Sequence, residues 1–160
     1  MSATSDPARQ LLRHTVATVA YRGGKALRGA PESFATFTIG DSPRTPAKIL
    51  AHLGDLFDWA LSIANGKQAW HNSAPLPWDQ EVARFFGALA AFDQRVASGP
   101  LAVPVEPLFQ GPIADALTHV GQIAMLRRMA GCAFHGENYY VADIQVGRVG
   151  MEQAAPKQEF

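Results

Sequence analysis

Apolar residues recur at spacings of three and four along four separate stretches of the chain, the period of a helix that buries one face. In the first stretch Leu11, Leu12, Thr15, Val16 and Val19 line one side. Ser5-Asp6-Pro7 opens it with a capping side chain and a proline in the first turn, and Gly23-Gly24 marks its end. The second stretch starts at Thr45-Pro46 in the same manner, carries an apolar run from Ile49 to Ile63 interrupted by His52, and closes at Asn65-Gly66. The third places Val82, Phe85, Phe86, Leu89 and Phe92 on a buried side, with Gly99-Pro100 as its stop. The fourth lies between Pro112 and Gly131. The pattern predicts helices near residues 6–22, 46–64, 78–98 and 111–130.

The connections are long. Residues up to Arg44 include the irregular Ala35-Thr36-Phe37-Thr38-Ile39-Gly40, and the loop from Gly66 to Pro77 holds Trp70, His71 and two prolines, a composition suited to a packed crossover. The Pro- and Val-rich segment from Pro100 to Pro107 is expected to run extended, because proline removes a helix donor and restricts its predecessor. The expected fold is all-α: a four-helix bundle with long crossover connections. The whole chain, 1–160, reads as one domain with 136–160 as a C-terminal tail. The aromatic part of that tail, Phe134 to Tyr140, is expected to pack across the bundle, and Pro156 to Phe160 to stay loose.

Candidate chemistry centres on Asp115-Ala116-Leu117-Thr118-His119. At i and i+4 a carboxylate and an imidazole stand one above the other on a helix face, so one helix can offer two ligands to one metal ion. The lone histidine of the second helix, His52, completes a two-histidine, one-carboxylate set if the two helices face each other. The plain alternative is a helix-internal Asp115–His119 ion pair worth a few tenths of a kcal/mol. Asp55, one turn beyond His52, reads first as a solvated charge and otherwise as a fourth ligand or an orienter. Gln122 can bond a metal-bound water or serve as an amide within the bundle. His14 is expected to be partly exposed, His71 to reach the cleft mouth, and His135 to approach the site if the tail folds back.

These residues also resemble a known family. In DinB/YfiT-like helical bundles the last core helix carries His-x-x-x-His followed by Arg-Gly-Gln, and the second helix a third histidine. Gly121-Gln122 matches the end of that motif, which places His119 on its second histidine and Asp115 on its first, and Ile49-Leu50-Ala51-His52-Leu53 supplies the third. An aspartate replaces one histidine, and Val120 replaces the arginine. The resemblance covers roughly residues 5–135. It implies a bound divalent transition metal (zinc, nickel, manganese or iron) and a small-molecule substrate, with a low-molecular-weight thiol activated for S-transfer or isomerisation. A non-enzymatic, dimeric binding or stress-associated bundle with a vestigial site is the competing class.

Composition narrows the remaining classes. Of 160 residues 48% are hydrophobic and only 18% charged, leaving room for a self-association face and a homodimer. The net charge is zero, with the 14 basic residues spread along the chain, so the phosphate-neutralising patch that nucleic-acid binding needs is missing. No apolar run approaches the roughly 20 residues that span a bilayer. No signal peptide is readable, and Cys132 alone cannot form an internal disulfide; together these point to the cytoplasm. Cys132 reads as a small buried hydrophobe. Phosphate-cradling glycine loops, a Gly-x-Ser-x-Gly elbow and the paired Glu-x-x-His of di-iron bundles are all absent, which leaves a single mononuclear site.

Overall fold

A computed structural model describes residues 6–160. Its main helices are α1 (Pro7–Leu27), α2 (Pro46–Ala64), α3 (Trp78–Ala97) and α5 (Ala114–Met129), with a short α4 (Val105–Leu108) leading into α5 through a π-helical turn, Phe109–Ile113. Among the described residues there is no β-strand, only an isolated antiparallel bridge between Glu137 and Glu159. No helix among them is long and apolar enough to cross a membrane. The fold of the described residues is therefore all-α.

Local chemistry explains where the helices begin. Asp6 accepts from the Ala8 N–H at 3.0 Å ahead of Pro7, while Ser5 lies outside the described residues. Thr45 accepts from Lys48 N–H at 3.3 Å ahead of Pro46. Each cap satisfies an amide that the first helical turn leaves without a partner.

Three expectations are corrected. First, α1 does not stop at Gly23-Gly24 but continues to Leu27, with both glycines buried inside it. A Cβ at Gly23 would lie 3.1 Å from the Phe85 ring of α3, so here glycine permits close helix packing and does not mark a terminus. Second, the segment before residue 111 becomes helical at Val105 instead of remaining extended to Pro107. Pro107 falls in the first turn, where a missing N–H costs nothing, and Pro112 is absorbed by the wider π turn. Third, Pro156 to Phe160 is not loose: Asn138 N–H donates to the Gln158 carbonyl and Phe160 N–H to the Gly136 carbonyl.

The α2–α3 pair makes the most extensive contact, and α5 packs against both α1 and α2. Phe57, Phe85, Phe92, Leu50, Leu53, Leu89, Ile113 and Ile123 fill the space between the helices, all fully buried. Each contributes about 1.5–3 kcal/mol of apolar burial, before the conformational entropy lost on folding. The irregular segment after α1 contains a 3-10 turn, Glu32–Thr36, whose Phe34 is buried edge-on to Trp78. Cys132 is half-buried beside the core.

The tail is fastened to α1 by charge. Glu137 accepts from the Tyr21 hydroxyl at 2.5 Å and from Lys25 Nζ at 2.8 Å, and Lys25 also reaches Glu159 at 3.1 Å. Burial by itself pushes the Lys25 pKa down, but the hydrogen bonds to the two glutamates outweigh it and hold it above the ordinary lysine value.

Candidate metal centre

Helix α2 turns Leu50, Leu53 and Phe57 into the core, which leaves His52 at its edge toward α5. On α5, Ala116, Val120 and Ile123 are buried, and the adjoining stripe carries Asp115 and His119. The two helices thus bring together residues 63 positions apart in sequence: His52 Nε2 lies 3.5 Å from Asp115 Oδ2. The imidazole centroids of His52 and His119 are 4.6 Å apart. Each of the three residues offers a ligand atom, and these atoms lie within 4.8 Å of one another. A tetrahedral zinc site with bonds near 2.1 Å sets its ligand atoms roughly 3.4 Å apart. Side-chain adjustments of about an ångström would therefore close the set around an ion.

The tautomer of His119 follows from its neighbours. Its Nε2 lies 2.7 Å from Arg44 Nη2, and a guanidinium can only donate, so Nε2 carries the lone pair. The proton is then on Nδ1, which donates to the Asp115 carbonyl at 2.8 Å. That backbone bond orients the ring in the way outer partners orient metal-ligating histidines. Burial, helped by the neighbouring His119 ring and the Arg44 cation, holds His52 below the ordinary imidazole pKa against the opposing pull of Asp115. The neutral ring, the form a metal requires, is thereby favoured. Trp70 from the loop after α2 stands edge-on to His52 at 5.6 Å. The donor set fits a mononuclear divalent transition metal.

The remaining candidate residues lie elsewhere. Asp55 is not a solvated charge and does not orient His52; it is buried at the centre of a second cluster. Its carboxylate accepts from Ser73 N–H at 2.8 Å, Ser73 Oγ at 2.7 Å and Arg84 Nη2, and His71 Nε2 lies 3.0 Å away. Arg84 also reaches Asp58 and Glu81, and Glu81 accepts from Leu76 N–H. Asp55, Asp58 and His71 have metal-ligand spacing too, but Arg84 already supplies the cation there. This network ties the loop after α2 to α2 and α3. Gln122 is exposed, and its side chain makes no hydrogen bond among the described residues. His135 is exposed with Nδ1 3.3 Å from the Phe160 carbonyl, so the returning tail engages it away from the centre. His14 is exposed.

Sequence reasoning missed Arg44 and Trp70. Arg44 directly precedes the Thr45 cap, so its position is set by the start of α2, yet no periodicity links it to His119, 75 residues away. No family model, curated protein or solved structure matches the chain at a significant level.

Proposed function

We propose that this chain is a metal-dependent protein of the DinB/YfiT-like kind, in which His52, Asp115 and His119 hold one divalent transition metal. The observation that carries the reading is the convergence of three ligand-type side chains from two helices onto a point beside a cleft. When bound, the metal would act as a Lewis acid that acidifies a water or a low-molecular-weight thiol in an open position. The chain's own residues do the rest. The Asp115 carbonyl keeps the His119 proton on Nδ1, and burial keeps His52 neutral. Trp70 packs edge-on beside the His52 ring. S-transfer or isomerisation of a small substrate is the activity class that suits these parts.

Purified protein is expected to carry or take up about one equivalent of zinc, nickel, manganese or iron by elemental analysis. His119→Ala should lower metal affinity roughly 100-fold or more, beyond the 10–100-fold typical of losing an outer partner. Asp115→His should keep or strengthen zinc and nickel binding, because imidazole suits both metals. Calorimetric titration of metal-stripped protein reads both changes. Loss of uptake in Asp115→His with none in His119→Ala would show that α5 is not the metal helix.

A second reading has its own support. Arg44, His119, Asp115 and His52 already form a connected polar network, which a non-enzymatic bundle could keep as structure. Protein that takes up none of the four metals would favour it.

A further inference from the structure

The one lone pair that His119 can offer a metal is engaged by Arg44 at 2.7 Å, and a metal and a guanidinium cannot share it. Arg44 is exposed and lines a cleft of about 290 Å³ with Pro43, Lys48 and His52. Among the described residues, the only side-chain bond of Lys48 runs to a backbone carbonyl, that of Pro43, at 2.9 Å. Neither cation has a carboxylate partner among the described residues. Asp115 is the one carboxylate in the His52–His119 cluster. A metal-loaded site would therefore present uncompensated positive charge at the cleft, with a planar fork of donors at its rim.

We propose that Arg44 exchanges partners: it holds His119 Nε2 in the metal-free protein, and on metal binding it turns to an oxyanion group of the substrate, with Lys48 beside it. The inference rests on the metal reading above and specifies its substrate class, a small molecule bearing a carboxylate or phosphate-type group next to the metal-directed end. Guanidinium suits this task because its donors match two oxygens at once. The exchange also couples the two ligands, since the cation released by the metal is the one the anion needs.

The test uses the full chain and its Arg44→Met and Lys48→Met variants. Zinc alone is titrated first; acetate and methylphosphonate are then titrated into the zinc-loaded proteins. Arg44→Met should bind zinc about tenfold more tightly, because a charged hydrogen bond no longer competes for the nitrogen. The same variant should bind the preferred anion about tenfold more weakly. Lys48→Met removes an equal charge without touching His119, so its zinc affinity should stay within about twofold while its anion affinity falls. Preference for acetate or for methylphosphonate identifies the oxyanion class. Equal zinc tightening in both variants would mean charge alone acts and would overturn the exchange. Unchanged anion affinity in Arg44→Met would overturn it too, while leaving the metal site standing. If neither wild type nor Arg44→Met takes up zinc, nickel, manganese or iron, the metal reading and this inference fall together.

Discussion

At Asp55 two physical effects oppose each other. Burial alone pushes its carboxyl up, but the Ser73 N–H and hydroxyl together with Arg84 outweigh it and hold the pKa below the ordinary carboxylate value. A depressed folded pKa stabilises the protein above the unfolded value of about 3.9, and that stability is lost as pH falls through the folded value. Asp55→Asn should therefore cost about 3 kcal/mol near pH 7, the scale of breaking a buried pair by removing one partner. Urea unfolding at pH 7 and pH 3 should show the gap to wild type narrowing on acidification; a gap independent of pH would mean the carboxylate charge is not what matters. Helical spacing placed His52, Asp115 and His119 correctly on facing stripes. It could not reveal that Asp55 is covered, because Ser73 and His71 arrive from a loop whose path leaves no periodic trace.

At the scale of the helix, glycine and proline carried the ambiguity. Asp6-Pro7 and Thr45-Pro46 were legible as starts because capping chemistry is local. Gly23 looked like a stop because whether a glycine ends a helix or admits a neighbour depends on what faces it, here Phe85. Two substitutions separate the roles. Gly23→Ala gains about 1 kcal/mol of helix propensity but drives a methyl into the Phe85 ring, an overpacking that costs about 1–3 kcal/mol, so net destabilisation is expected. Gly87, exposed within α3, has nothing within 4 Å of an added Cβ, so Gly87→Ala should stabilise by about 0.5–1 kcal/mol. Chemical denaturation that moves both variants in the same direction would contradict this account. The start of α5 was misplaced for a related reason. Fully buried Leu108 and Ile113 are five residues apart, the step of the π turn, so a search at three and four breaks there.

For the molecule as a whole, the bundle and the tail share the Lys25–Glu137 pair, whose carboxylate side chain is fully buried. Glu137→Gln should cost about 2 kcal/mol, less than a fully stranded charge would, because Glu159 remains within reach of Lys25. It should also speed protease cleavage between 136 and 160 relative to wild type; equal cleavage rates would show that the tail is held by other contacts. The same pair bears on the order in which the protein can be completed as it leaves the ribosome. Lys25 and Glu137 are 112 residues apart, and at about 5–20 residues per second roughly 6–22 s of synthesis separates them. During that interval α2, α3 and α5 are all made, yet the lysine of α1 has no carboxylate to meet at its final position. The closing stretch of α1, Tyr21 to Leu27, is thus expected to settle late, although it emerges before α2, α3 and α5.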